Sequence, residues 1–164
     1  MIEIYVDGSC RKNQYGGFGI CVIDNFGKII YQHGEQVSNT TNNRMELQAL
    51  LYALDLTQTK YKDKKCAIKS DSAYCVNMYN EWIYNWNKNG WVRYGNKPIE
   101  NLDLVKQIWE YCKLEWPNFT IEKVPGHSGL LGNEIADALA NNDKTRINNL
   151  QKEIEGDVYN GINL

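Results

Sequence analysis

Alternating apolar and polar side chains mark the start of the chain as a β-strand. Residues 2–7 place isoleucine and valine on one face and polar or aromatic side chains on the other, the two-residue period of a half-buried strand. A second apolar run covers residues 18–23, and a turn sequence at 25–27 leads into a third extended run at 28–32. Connections this short predict three antiparallel strands.

Helical and extended patterns alternate through the rest of the chain. Apolar residues recur at intervals of three and four over residues 42–56, as in a helix that buries one face. Helices are predicted at 42–56, 72–80, 101–115 and 133–141, and strands at 66–71 and 119–124. Because these strands follow helices, we expect parallel pairing through right-handed crossovers. The sequence predicts an α/β fold with a mixed five-stranded sheet, an antiparallel meander plus parallel strands, and helices on both faces.

Periodicity weakens towards the C-terminus. Residues 142–164 combine scattered charges with a few spaced apolar residues. We therefore predict one domain over residues 1–141, followed by a tail over 142–164 that is either helical or mobile. A chain of 164 residues can bury a core without disulfides or metals.

Composition narrows the classes of function. The net charge of -2 and the pI near 5.7 argue against a protein that coats DNA regardless of sequence. They leave nucleic-acid binding open, because acids gathered at a metal site lower the pI without facing a distant phosphate. The five cysteines are scattered and no secretory signal is visible, so we expect reduced thiols and a cytoplasmic protein. No apolar run reaches membrane-spanning length, and no membrane partner is expected.

Candidate chemistry lies in four carboxylates at predicted element boundaries. Asp7 and Asp71 end the first and fourth strands, Glu46 lies in the first turn of a helix, and Asp137 lies in the last helix. Ligands of α/β sheets bind at the carboxyl ends of the strands, where Asp7 and Asp71 meet if their strands are neighbours. Clustered carboxylates repel each other unless cations neutralise them. Oxygen ligands favour Mg²⁺ or Mn²⁺ over Zn²⁺.

Each carboxylate also has a simpler explanation. Glu46 follows Asn43 by three residues and could complete a capping box. Asp71 could cap the helix that follows it, Asp7 could start a turn, and Asp137 could be a solvated helix residue. These explanations treat the four residues separately and do not account for the sequence strings around them.

Those strings resemble type 1 ribonuclease H, the stand-alone bacterial type with a basic protrusion. In order along the chain they are Asp7-Gly-Ser-Cys10, Thr41-Asn-Asn-Arg-Met-Glu-Leu47, Ser70-Asp-Ser-Ala-Tyr74, Gly126-His-Ser-Gly129 and Asn133-Glu-Ile-Ala-Asp137. The resemblance covers about residues 2–141. It implies an RNase H-like fold and an endonuclease that hydrolyses the RNA strand of RNA–DNA hybrids, leaving 5′-phosphate and 3′-hydroxyl ends.

The resemblance also implies roles for the site residues. Asp7, Glu46, Asp71 and Asp137 would bind two Mg²⁺ ions, with Mn²⁺ as a substitute, and Asp7 would bridge the two ions. His127 would transfer protons or assist product release. Considered alone, His127 could equally be a surface histidine of a glycine-rich loop.

Further residues are implied to contact the hybrid. Cys10, Asn13, Asn42 and Asn43 match positions that touch it, and Thr41, Arg44 and Asn101 match a pocket for a phosphate of the DNA strand. Arg44 could also be a solvated residue of the first helical turn. A basic protrusion, the handle, matches residues 77–98 and would grip the DNA strand through Trp82, Trp86, Lys88, Trp91, Arg93 and Lys97. Trp82 and Trp86 could instead face the core, since they are four residues apart.

Two alternatives to a hybrid-specific nuclease remain open at this stage. One is a non-catalytic hybrid-binding module, and the other is a nuclease of the same fold that acts on another nucleic acid. Retention of all four carboxylates argues against the first, and the Thr41–Asn43 string argues against the second. A monomer is expected, since no apolar stripe is left over for a dimer interface.

Overall fold

The computed structural model describes residues 1–127 and 129–162, with side chains as far as Glu153. Within these residues the strands are β1 (Ile2–Cys10), β2 (Gly16–Ile23), β3 (Ile29–Val37), β4 (Cys66–Ser70), β5 (Val92–Arg93), β6 (Lys97–Pro98) and β7 (Phe119–Lys123). The helices are α1 (Asn42–Gln58), α2 (Ala73–Asn77), α3 (Ile83–Lys88), α4 (Leu102–Cys112), α5 (Leu131–Ala140) and α6 (Lys144–Ile162). A π-helical turn, Met78–Trp82, joins α2 to α3.

The main sheet confirms the predicted topology. Its strand order is β3-β2-β1-β4-β7. The pairs β1–β2 and β2–β3 are antiparallel, whereas β1–β4 and β4–β7 are parallel. The antiparallel meander therefore occupies one half of the sheet, and β1 at its centre joins the two halves.

Helices cover both faces of this sheet, and β1 contributes side chains to both cores. Ile4 and Val6 belong to the larger core, which α1 and α4 close. Tyr5 belongs to a second core with Ile135 and Ala136 of α5 and is 6% exposed. Helix α5 covers the face of β1 that carries Tyr5, so this strand is buried on both faces, as expected of a sheet with helices on both sides.

The helix starts rule out two of the simpler explanations for the carboxylates. Thr41 caps α1, with its hydroxyl accepting a hydrogen bond from the Arg44 N–H at 3.2 Å. Ser72 caps α2 in the same way, accepting from the Cys75 N–H at 3.2 Å. Neither Glu46 nor Asp71 is therefore the capping residue of its helix.

Several predicted boundaries need correction. The third strand, predicted to end at residue 32, continues to Val37, because pairing with β2 sustains it where the apolar alternation fails. The hairpin of β5 and β6 was not predicted, since two-residue strands leave no periodicity in a sequence. Helix α4 ends at Cys112 rather than 115, as the following residues are exposed and offer no face to bury. The predicted tail is helical over Lys144–Ile162.

Among the described residues, every helix is too short or too polar to cross a bilayer.

Candidate active site

Parallel pairing of β1 with β4 brings the first two carboxylates together. Val6 pairs with Ser70 in register, so the next residues along the two strands, Asp7 and Asp71, lie side by side at the carboxyl edge of the sheet. This is the juxtaposition that the sequence predicted on the condition that the two strands were neighbours.

A close approach of α1 to β1 adds Glu46 to the pair. A Cβ on Gly8 would lie 2.4 Å from the backbone nitrogen of Glu46 and equally near the carbonyl carbon of Met45, so only glycine fits there. As a result, ligand oxygens of Asp7, Glu46 and Asp71 all lie within 4.8 Å of one another.

The cluster is electrostatically strained when no cation is bound. Burial and the negative charges of Glu46 and Asp71 raise the pKa of Asp7 above its usual value. Burial and Asp71 likewise raise the pKa of Glu46. One carboxylate oxygen of Glu46, Oε2, is buried without a hydrogen-bond partner among the described residues. A divalent cation would supply both the missing partner and the missing positive charge, so this donor set fits one.

Asp137 joins the cluster from α5, on the other side of Asp7. Helix α5 lies so close to β2 that a Cβ on Gly19 would be 2.1 Å from the carbonyl oxygen of Ala136. The negative charge of Asp137 acts on both Asp7 and Glu46 and helps to raise the pKa values of these two residues. Asp137 therefore lies next to the cluster, although only Asp7, Glu46 and Asp71 bring ligand oxygens within 4.8 Å of one another.

An arginine that the sequence did not single out contacts the fourth carboxylate. Arg146, in the first turn of α6, places Nη1 2.5 Å from Oδ2 of Asp137 and forms a second ion pair with Glu134. Burial opposes ionisation of Asp137, but the hydrogen bond and the positive charge of Arg146 favour its ionised form, and its pKa lies below the usual value. Asn141 adds a bond from Nδ2 to Oδ1 of Asp137 at 3.3 Å. Nothing in the sequence signalled Arg146, because its position depends on the turn between α5 and α6.

His127 lies on the loop that borders the cluster. Its backbone has a φ of 53°, its side chain is exposed, and its charge acts on Asp137. The preceding Gly126 faces Asp71, since a Cβ there would lie 3.4 Å from Asp71 Oδ2. Gly126 of this loop therefore lies beside one carboxylate of the cluster. Ser128 of the same string lies outside the described residues.

The predicted hybrid contacts form a surface beside this edge. The Cys10 N–H donates to Asn42 Oδ1 at 3.1 Å, which ties β1 to the start of α1. One open hollow is lined by Thr41, Asn42, Asn43, Glu100 and Asn101. Asn13 accepts a hydrogen bond from the Tyr15 N–H at 3.1 Å and shapes the β1–β2 loop. These residues therefore share one side of the molecule.

Arg44 reaches the same hollow, but it is already paired. Its guanidinium donates to Asn101 Oδ1 at 3.2 Å and forms two bonds with the carboxylate of Asp103, at 3.1 and 2.9 Å. Both partners of this ion pair are partly exposed. The idea that Arg44 is merely solvated is thus wrong, and a phosphate would have to share it with Asp103.

The handle has aromatic side chains packed where it joins the domain, and it carries exposed basic side chains. Trp91 packs edge-to-face on Trp109 of α4, with ring centroids 5.9 Å apart, and anchors the handle to the domain. The ring centroids of Trp82 and Trp86 lie 6.1 Å apart, and both side chains line a groove with Arg93. Trp82 is 37% exposed, so the expectation that it faces the core is wrong for this residue. Lys88 and Lys97 are exposed.

The fold and the carboxylate cluster together define a class of protein. A mixed five-stranded sheet in the order β3-β2-β1-β4-β7, with acidic residues gathered where its central strands end, is the arrangement of metal-dependent nucleases with an RNase H-like fold.

Comparisons with known proteins specify the family. The RNase H family model matches residues 1–145. The chain is 42% identical to Ribonuclease H of Pseudoalteromonas atlantica over 150 residues, covering 85% of this chain and 87% of that protein. It is 41% identical to Ribonuclease HI of Pasteurella multocida over 144 residues, covering 85% and 86%. The chain therefore belongs to the RNase H family, and it is an enzyme that hydrolyses the RNA strand of RNA–DNA hybrids.

Solved structures agree with this assignment. The chain resembles LC9-RNase H1, a type 1 RNase H, with a TM-score of 0.71 and 28% identity, covering 86% of this chain and 70% of that one. It also resembles LC11-RNase H1 in complex with an RNA/DNA hybrid, with a TM-score of 0.63 and 26% identity, covering 87% and 95%.

Proposed function

We propose that Asp7, Glu46, Asp71 and Asp137 hold two divalent cations, and that the physiological ion is Mg²⁺ with Mn²⁺ as a substitute. The observation that carries this proposal is the approach of three carboxylates to within 4.8 Å of one another, two of them buried. Oxygen-only ligands suit these ions. Asp7 is assigned the bridging role because it is buried and the negative charges of Glu46, Asp71 and Asp137 all act on it.

The reaction is hydrolysis of an RNA phosphodiester, in which the bond from phosphorus to the 3′ oxygen breaks. When bound, the cations would supply activation of the attacking water and stabilisation of the leaving oxygen. The products are a 5′-phosphate and a 3′-hydroxyl. His127 is assigned proton transfer or product release, because an exposed imidazole beside Asp137 can exchange protons with solvent.

Recognition of the hybrid is assigned to the surface beside the carboxylates. Cys10, Asn13, Asn42 and Asn43 are placed at the sugars and bases, where the 2′-hydroxyl of the RNA strand is both donor and acceptor. Thr41, Arg44 and Asn101 are assigned to a phosphate of the DNA strand. The handle supplies aromatic faces and cations to that strand, namely Trp82, Trp86, Lys88, Trp91, Arg93 and Lys97.

We further propose that the enzyme acts as a monomer in the cytoplasm. All five cysteines are free, as expected in a reducing compartment. The division into a catalytic domain over 1–141 and a tail over 142–164 stays a prediction.

A cleavage assay with a matched pair of variants tests the function. The protein is incubated with a labelled RNA–DNA hybrid in Mg²⁺ or in EDTA, beside single-stranded RNA, duplex RNA and duplex DNA. We expect cutting of the RNA strand of the hybrid only, abolished in EDTA and in Asp7→Asn. Asp63→Asn removes an exposed acid from a loop preceding β4 and serves as the control that keeps full activity.

Two results would overturn the proposal. Tight binding of the hybrid without cleavage in Mg²⁺ or Mn²⁺ would indicate a non-catalytic binding module. Equal cleavage by wild type and Asp7→Asn would place the chemistry elsewhere.

A further inference from the structure

The ion pair between Arg146 and Asp137 links the C-terminal helix to the carboxylate cluster. One guanidinium nitrogen lies 2.5 Å from Oδ2 of Asp137, and another contacts Glu134 one turn earlier on α5. The side chains of Arg146, Glu134 and Asp137 are 31%, 20% and 20% exposed. Arg146 is therefore a positive charge fixed at a proposed cation ligand.

The local fold holds Arg146 in this position. Asn142 adopts a left-handed φ of 53°, and the Asp143 N–H returns to the carbonyl of Ala138 at 2.9 Å, which ends α5 in a tight turn. The side chain of Asp143 then caps α6 by accepting from the Arg146 N–H at 3.1 Å. Arg146 consequently enters the first turn of α6 directly beside Asp137.

Contacts farther along α6 hold the helix against the sheet. Leu150 packs on the smaller core beside Ile29 and Leu139. Gln151 donates from Nε2 to Oε1 of Gln32 on β3 at 3.1 Å. Together with the turn at Asn142 and Asp143, these contacts fix α6 on both sides of Arg146, so the arginine is presented by a docked helix.

The contact lies at the end of the region that the family model matches. The RNase H family model matches residues 1–145, and Arg146 is the next residue. The arginine that pairs with Asp137 therefore lies immediately after the matched region, whereas Asp137 lies inside it.

We propose that Arg146 acts as a built-in counter-ion for Asp137, stabilising the cation-free enzyme and weakening its affinity for divalent cations. This inference rests on the proposed function, because it assumes that Asp137 is a cation ligand. Without cations, Arg146 offsets the repulsion between Asp137 and the neighbouring acids Asp7 and Glu134. With a cation bound at Asp137, the same guanidinium faces a like charge. An interaction that favours the cation-free state must lower cation affinity by the same factor.

Substitution by glutamine tests the proposal without substrate. Arg146→Gln keeps a hydrogen-bonding amide but removes the charge. We expect a lower melting temperature than wild type in EDTA, and binding of Mg²⁺ to the free protein tighter by about two- to fivefold in calorimetric titration, the range for a partly exposed ion pair. Added Mg²⁺ should therefore raise the melting temperature of the variant more than that of wild type.

Two further variants separate charge from packing. Arg146→Lys retains the charge and should restore the wild-type Mg²⁺ affinity, at least in part. Lys113→Gln removes one side of the exposed ion pair with Glu110 on α4 and should leave Mg²⁺ affinity unchanged.

The outcomes distinguish the two proposals. Unchanged or weaker Mg²⁺ binding by Arg146→Gln, with Asp7→Asn still abolishing binding, would overturn the counter-ion role and leave the metal site intact. Retention of Mg²⁺ binding by Asp7→Asn would instead overturn the proposed metal site itself.

Discussion

Gly8 contacts the peptide between Met45 and Glu46 so closely that a Cβ would lie 2.4 Å from the Glu46 nitrogen. This contact sets the distance between β1 and α1, and with it the distance between Asp7 and Glu46. Packing at a position remote from solvent thus controls the geometry of the carboxylate cluster.

Gly8→Ala is expected to impair both stability and catalysis. The methyl group must push α1 away from β1, at a cost of about 1–3 kcal/mol for an overpacked site. Displacing Glu46 from Asp7 should lower Mg²⁺-dependent cleavage more than tenfold. Urea denaturation and hybrid cleavage measure the two effects. Gly27→Ala, at a position where nothing lies within 4 Å of the added Cβ, should keep full activity despite its φ of +78°.

Stability of the cation-free protein should fall as pH rises from about 4 towards the alkaline range. The pKa values of Asp7 and Glu46 are raised by burial and mutual repulsion, so the native state binds more protons than the unfolded state in this window. The pKa of Asp137 is lowered, so its ionised form stabilises the native state, and this stabilisation is lost only at more acidic pH. Melting temperatures in EDTA between pH 5 and 9 should reveal the decline.

Mg²⁺ should cancel much of the loss of stability at high pH, because it binds the ionised carboxylates. Asp7→Asn should flatten the pH dependence in EDTA, since one of the two raised groups is gone. A melting temperature that rises over the same pH range, or an identical slope in Asp7→Asn, would contradict the electrostatic account of the cluster.

The dependence of hybrid binding on salt concentration should show whether the lysines of the handle contact phosphate groups. Lys88 and Lys97 are exposed, and each phosphate contact adds about 0.9 to the slope of log affinity against log salt. Lys88→Gln combined with Lys97→Gln should therefore weaken hybrid binding and reduce the slope by up to about 1.8. The control is Lys62→Gln combined with Lys64→Gln, in the lysine-rich loop preceding β4. It removes the same charge outside the handle. If both double variants behaved alike, the handle would have no specific role.

We expect Asp103 to compete with the hybrid for Arg44, the residue proposed to bind a phosphate of the DNA strand. Asp103→Asn should release the guanidinium from its bidentate ion pair and remove a negative charge near the expected DNA phosphate. We expect the dissociation constant for the hybrid to fall about two- to fivefold at low salt, in line with an exposed ion pair. Glu110→Gln, on the same helix but paired with Lys113, provides the control. Weaker binding by Asp103→Asn would show that the acid positions Arg44.

Local patterns were sufficient to predict the sheet. The short connections of the meander and the helices before β4 and β7 dictate which strands are antiparallel and which are parallel. The meeting of Asp7 and Asp71 was predicted only on the condition that β1 and β4 are neighbours. The prediction that Asp7 ends its strand is wrong, because pairing with β2 continues β1 to Cys10. Placing Glu46 and Asp137 at the same site required the resemblance to ribonuclease H, because their neighbours there come from distant parts of the chain.

Other features depend on tertiary context that no local pattern contains. The burial of Tyr5 depends on α5, which lies more than a hundred residues later. The link from Arg146 to Asp137 depends on the left-handed conformation of Asn142, one residue in a polar segment. The π-helical turn at Met78–Trp82 has no residue signature comparable to a proline or glycine break.

The parallel pairing of β1 with β4 also constrains the order in which the enzyme folds. Asp7 and Asp71 are more than sixty residues apart, and Asp137 is as far again along the chain. Closing loops of that length costs entropy before any contact is gained, so the cluster cannot form early by local folding. During synthesis, the proposed cation site would therefore be completed only after α5 has emerged, and cation binding would report that the strands and helices around it have assembled.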